Sequence, residues 1–203
     1  MLKKVNLTLE HEGCWTESSN ETVRTINLEV YPDKGYLRSW ILSSEPNLAE
    51  RMAREPTVKR VNKVYSSRGE VIVDFLNVYE GSVAGLLYSR EVLILGNYNV
   101  GGREVWSFVA GKNALSELRR EISSLGRVVD MRVEDYLPSF PNLTEMERRV
   151  LKVAISRGYI DYPREVNAEE LARMLNLSKV TFLYHWRNAQ KKILKHVSDY
   201  VLD

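Results

Sequence analysis

The chain has 203 residues, 44% of them hydrophobic and 28% charged, with a net charge of +2. That supplies enough apolar mass for one large domain or two small ones, and it excludes wholesale disorder and a polycation. A single cysteine, Cys14, excludes an intrachain disulfide framework and a cysteine-built zinc cluster and fits a reducing interior.

No apolar run approaches the ~20 residues that span a bilayer. Met1-Leu2-Lys3-Lys4 leads straight into an alternating pattern and not into a secretion signal, so the expected compartment is the cytoplasm. Val5, Leu7 and Leu9 alternate with polar neighbours, and so do Ile26, Leu28 and Val30; both stretches read as half-buried strands. Tyr31-Pro32-Asp33-Lys34-Gly35 is a turn, because proline presets φ and glycine permits φ > 0. Residues 36–43 return as the second strand of that hairpin. A short helix over 46–54, closed by Pro56, precedes strands over 57–65 and 70–78, the latter with Val71, Val73 and Phe75 on one face.

Residues 82–89 read as a weak helix, since Gly81 and Gly85 lower its propensity. Strands over 91–97 and 104–109 flank a turn at Asn99-Val100-Gly101-Gly102. Residues 112–124 form an amphipathic helix with Leu115, Leu118 and Ile122 on one side, and Gly126 stops it. A last strand, 127–134, alternates Val129, Met131 and Val133. Strands interleaved with short helices over residues 1–137 predict an α+β fold: an N-terminal α/β sandwich, ferredoxin-like or a duplicated relative. Two prolines within 138–142 continue neither element type and mark a linker.

Residues 143–203 read as an all-α helix-turn-helix domain. Thr144 and Glu147 form a capping box for a first helix whose apolar stripe is Met146, Val150, Val153 and Ala154. Gly158 ends it. Asn167 caps a second helix, 168–175, with Glu170 at the capping-box position. Asn176-Leu177-Ser178 is the turn, and Ser178 caps a third helix over 178–196. Phe182, Trp186, Ala189 and Ile193 recur on one buried stripe of that helix. Lys179, Arg187, Lys191, Lys192 and Lys195 fall on it without an acid among them. Residues 138–203 hold eleven Lys/Arg against eight Asp/Glu, whereas residues 1–137 hold eighteen against nineteen. A basic helix following a tight turn suits the DNA major groove. Its predicted DNA-binding residues are Ser178, Lys179, Val180, Thr181, Leu183, Tyr184, Arg187, Asn188 and Lys191, with base contacts early on the helix and phosphate contacts later, shared with Lys192 and Lys195. Val180 and Leu183 suit thymine methyls or a protein partner.

The string Leu143-Thr144-Glu145, Val150-Leu151-Lys152-Val153-Ala154, Gly158-Tyr159-Ile160-Asp161-Tyr162-Pro163-Arg164, Ala168-Glu169-Glu170-Leu171-Ala172, Leu177-Ser178, Thr181 and His185-Trp186-Arg187-Asn188-Ala189 resembles the helix-turn-helix of archaeal bacterio-opsin-activator-type regulators. The Gly-Tyr-x-x-x-Pro-Arg element is its specific part. The sequence departs at Leu183, where that family carries a small polar residue, and at Trp186, where it carries a Leu-type residue. The resemblance covers about a quarter of the chain and implies a transcription regulator whose upstream domain senses or assembles.

Other chemistry is thinly supplied. His11 and Cys14 have metal-like spacing, but two ligands make no site and no second pair is near in sequence, so no metal and no cofactor are expected. Gly96 to Arg103 lacks the lysine and Ser/Thr of a phosphate loop and reads as a hairpin. With three histidines, two of them on the basic helix, no catalytic set is recognisable and an enzyme is not expected. Trp15, Tyr31, Tyr36, Trp40, Tyr88 and Trp106 are expected in the core, some of them lining a ligand pocket. The expected partners are double-stranded DNA, a second copy of the chain as a homodimer, and a small-molecule effector at the N-terminal domain, with no membrane. Rival readings are an adaptor binding the transcription machinery through the C-terminal helices and a regulated metabolic enzyme.

Overall fold

The computed structural model describes every residue except Ser18, Asn20, Pro138, Ser139, Leu202 and Asp203. Part of the expected linker thus lies outside the described residues. The chain divides into two compact units, Met1–Leu137 and Pro138–Asp203.

The first unit is α+β. Its eight strands are β1 (Leu2–Glu10), β2 (Val23–Tyr31), β3 (Tyr36–Ser43), β4 (Val58–Ser67), β5 (Glu70–Val78), β6 (Leu93–Val100), β7 (Arg103–Gly111) and β8 (Arg127–Asp135). Its helices are α1 (Leu48–Met52), α2 (Val83–Ser89) and α3 (Leu115–Leu125). The strands form one sheet in the order β4-β5-β3-β2-β6-β7-β1-β8. Every pairing is antiparallel. Between β2 and β6 the pairing covers only Val23–Asn99 and Arg24–Tyr98, so the sheet has a narrow seam at its middle.

Val5, Leu7 and Leu9 of β1 and Trp106, Phe108 and Ala110 of β7 are buried against Val83, Ala84 and Leu87 of α2 and Leu118 and Ile122 of α3. A second cluster sets Leu48 and Met52 of α1 on Ile41, Val71, Val73 and Phe75. These elements alternate as the sequence requires, because successive strand side chains take opposite faces.

Two strands depart from strict alternation. The register shifts between Thr25 and Asn27, leaving Ile26 55% exposed, while Leu28 and Val30 face the core. A second shift opposite Thr8 and Leu9 exposes Val129 and turns Val128 inward beside Met131. A bulge inserts one unpaired residue and flips the parity on its far side, so the expected faces of Ile26 and Val129 are corrected; Val133 keeps the parity of Met131 but is 47% exposed on the edge strand β8. The expected aromatic core is also smaller: Trp15 and Trp106 are buried, Tyr31, Tyr36 and Trp40 are half-buried, and Tyr88 is exposed.

Gly85, read as a weakness of α2, is required there. A Cβ would stand 2.5 Å from the Tyr79 carbonyl oxygen and 2.8 Å from Ser82 Oγ, the α2 cap.

The second unit holds α4 (Glu145–Ser156), α5 (Ala168–Met174) and α6 (Lys179–Val201). Val150, Ala154, Tyr159, Leu171, Ala172, Phe182 and Trp186 form its core. Among the described residues, no helix is long and apolar enough to cross a membrane.

Candidate nucleic-acid interface

The interface is built from caps upward. Thr144 Oγ1 accepts from the Glu147 N–H at 3.2 Å, and Glu147 Oε2 accepts from the Thr144 N–H at 2.7 Å. The same carboxylate oxygen takes the Lys192 ammonium at 2.8 Å, which also donates to the Asn142 carbonyl at 3.0 Å. Lys192, expected at phosphate, is thus drawn inward and ties α6 to the start of α4. That ammonium, with the Thr144 N–H, holds the Glu147 carboxyl below the usual carboxylate range.

At the other end of α4, Gly158 adopts φ 65°. The Tyr159 N–H reaches the Ala154 carbonyl at 3.0 Å and the Gly158 N–H reaches Ile155 at 3.2 Å, the paired bonds of a Schellman end. The chain so turned delivers the Tyr159 ring into the core. It meets Phe182 edge-on at 5.7 Å and Trp186 edge-on at 5.5 Å. Arg164 lies over the same ring at 4.7 Å. The Gly-Tyr-x-x-x-Pro-Arg element is therefore the floor on which α6 rests.

The turn between α5 and α6 repeats the device. Asn176 sits at φ 55°, the left-handed conformation that Asn tolerates better than most residues. The Leu177 N–H bonds Ala172 at 2.9 Å and the Asn176 N–H bonds Arg173 at 3.1 Å. Ser178 Oγ then accepts from the Thr181 N–H at 3.1 Å and caps α6. Asn167 and Glu170 make the reciprocal capping box of α5.

On α6, Phe182 and Ala189 are fully buried and Trp186 is 8% exposed. Opposite them Lys179, Val180, Tyr184, Arg187 and Lys191 are exposed, with Lys195 a turn further on. Val180 is 78% and Tyr184 63% exposed. Among the described residues Arg187, Lys191 and Lys195 make no ion pair, while Lys179 stands 3.8 Å from Glu169. A helix with Phe182 and Trp186 inward and Arg187, Lys191 and Lys195 outward is available to phosphates.

Three predicted residues sit differently. Thr181 is half-buried, its hydroxyl 2.7 Å from that of Ser178, so it serves the cap. Asn188 is half-buried beside the stripe. Leu183 is half-buried and packs on the module's core, which leaves Val180 as the exposed apolar side chain at the head of the helix.

One constellation was not legible. His11 and Cys14 acquire a third potential ligand in Glu104, with one donor atom of each lying within 4.8 Å of the others. Glu104 is distant in sequence, so no local spacing announces it, and the pairing of β1 with β7 brings it beside them.

A family model for an HTH DNA binding domain matches residues 143–195. Transcriptional regulator NarO of Haloferax volcanii is 42% identical over 57 residues, which make up 28% of this chain and 27% of NarO. A second protein of that organism is 37% identical over 57 residues, 28% of this chain and 10% of the relative. Both similarities span only about a quarter of this chain and a minor part of each relative. The matched segment coincides with the three capped helices and their shared core, and residues 143–195 are a helix-turn-helix DNA-binding domain of the bacterio-opsin-activator type.

Proposed function

We propose that the chain is a DNA-binding transcription regulator that works in the cytoplasm as a homodimer and lays α6 in the major groove. The observation that carries this reading is the division of α6: Phe182, Trp186 and Ala189 inward, Lys179, Val180, Tyr184, Arg187 and Lys191 outward. Val180 and Tyr184, on the first two turns, meet base edges; Arg187, Asn188, Lys191 and Lys195 meet phosphates; Ser178, Thr181 and Leu183 hold the head of the helix in register. NarO, a transcriptional regulator by name, shares the same segment. The rival reading, an adaptor, draws on an apolar patch that Leu183 largely withdraws into the core.

The first unit is assigned sensing, dimerisation or both. The strand order β8-β1-β7-β6, with α2 leading into β6 and α3 joining β7 to β8, supports a ferredoxin-like half. The strands β2 to β5 form an insertion that continues the sheet. Dimerisation is supported by the sheet face away from the helices. Register places Tyr65, Ile72, Leu42, Arg24, Tyr98 and Val105 in one row across six strands, most of it apolar.

The test is salt dependence. Each phosphate contact contributes a slope of about −0.9 in log K against log salt. Arg187→Ala with Lys191→Ala should therefore weaken binding to a promoter fragment and flatten that slope by roughly two. An unchanged slope, measured by fluorescence anisotropy, overturns the assignment.

A further inference from the structure

Beneath the seam between β2 and β6 lies a cavity of ≈ 80 Å³, lined in part by His11, Cys14, Asn77, Asn99, Glu104 and Trp106. Much of its lining is apolar, among it Leu37, Ile41, Phe75 and Val83, but buried polar side chains stand in the same wall. Asn99 is 1% exposed, and among the described residues neither polar atom of its amide has a hydrogen-bond partner; the Asn77 Oδ1 is likewise unpartnered among them. Leaving a buried amide unsatisfied is costly, and such groups in native structures often point to an ion or a ligand. Asn99 is the direct cross-strand neighbour of Glu104.

Glu104 is 4% exposed. Its Oε2 accepts from Trp106 Nε1 at 2.8 Å, and its Oε1 accepts from Thr16 Oγ1 at 3.1 Å and lies 3.3 Å from His11 Nδ1. Two ligand atoms at ~2.0–2.1 Å from one tetrahedral ion stand about 3.3–3.4 Å apart. A ligating carboxylate is ordinarily oriented by an outer hydrogen bond of the kind Trp106 supplies to Glu104.

We propose that His11, Cys14 and Glu104 bind one divalent transition-metal ion of the zinc class, leaving a fourth position open to the cavity that Asn99 lines. The donor set is one imidazole, one thiol sulfur and one carboxylate, a mixture that suits zinc and not the oxygen-only preference of calcium or magnesium. On binding, Cys14 coordinates as the thiolate and its proton leaves to solvent. The open position takes a water or a small polar ligand within reach of the Asn99 amide. The site goes beyond the DNA-binding reading, and its test involves no DNA.

The experiment titrates the full chain with Co²⁺ as a spectroscopic surrogate for Zn²⁺. One equivalent should give tetrahedral d–d bands and a thiolate-to-cobalt charge-transfer band, and Zn²⁺ should displace both. Because Cys14 is the only cysteine, that band reports this site alone. The charge-transfer band should vanish in Cys14→Ser, and Co²⁺ uptake should fall in His11→Ala, with the far-ultraviolet dichroism unchanged. On the unsubstituted chain, Zn²⁺ should slow alkylation of Cys14 several-fold, a readout independent of how the variants fold. No charge-transfer band in the unsubstituted chain, a band that survives Cys14→Ser, or alkylation indifferent to Zn²⁺ overturns the proposal.

Discussion

Tyr159 decides whether the helix-turn-helix has a core at all. Its ring stands between Phe182 and Trp186 while Arg164 caps its outer face. Truncating a buried ring of this kind costs about 3–5 kcal/mol, through lost transfer energy and the cavity left behind. In a unit this small that is a large share of the total stability. Tyr159→Ala should therefore abolish the cooperative melt of the C-terminal unit, and Tyr159→Phe should keep it within about 1 kcal/mol of the parent, both read by thermal dichroism. Equal effects from the two would mean that the hydroxyl, and not the ring, does the holding. The sequence announces Tyr159 only as part of a recurring string. Its packing role was not legible, because the loop that carries it has no periodicity to betray a buried side. Trp186, by contrast, was legible from spacing alone, since it shares a helical face with Phe182 and Ala189.

At the scale of elements, the bond from Lys192 on α6 to Glu147 at the head of α4 is a latch between helices. Glu147 is 4% exposed, so Lys192→Ala strands a buried carboxylate and should cost about 1–3 kcal/mol at neutral pH. Lys192 and the Thr144 N–H lower the folded-state value of Glu147 below its unfolded value. Its contribution is thus complete above the ordinary carboxylate range and is lost as the pH falls through the lowered value. The melting difference between the parent and Lys192→Ala should therefore shrink between pH 7 and pH 3. A difference that holds constant across that range would remove Glu147 as the partner. The composition placed Lys192 among the phosphate contacts because a charge run looks the same whether its members face solvent or a buried acid. Caps and turns were legible, since Ser178, Asn167 and Thr144 act through local bonds. The bulges at Ile26 and Val129 were not, because each is set by the register of a neighbouring strand.

The whole molecule carries a net charge of only +2, which is too little to hold DNA by its overall field. Binding must come from placement, and one module of this kind buries about 600–1,000 Å² on a duplex. Doubling the module is the physical route to a tighter and more selective complex, and that places the demand on the first unit. Its order of strands was beyond the sequence, since β1 pairs with β7 and β8 through contacts about a hundred residues apart. That order leaves one sheet face without helices of the first unit, and there Tyr65 is 45%, Leu93 57% and Tyr98 39% exposed. An apolar row on an open antiparallel face gains by meeting its own copy, because a two-fold axis matches the row to itself. Light scattering on the full chain should return twice the 23.5 kDa chain mass. Tyr98→Asp with Leu93→Asp should return a single chain mass with an unchanged dichroism spectrum, and with it weaker binding to a promoter fragment at an unchanged salt slope per chain. A double variant that stays dimeric would move the dimer interface elsewhere, and a parent that runs as a single chain at micromolar concentration would remove the dimer itself.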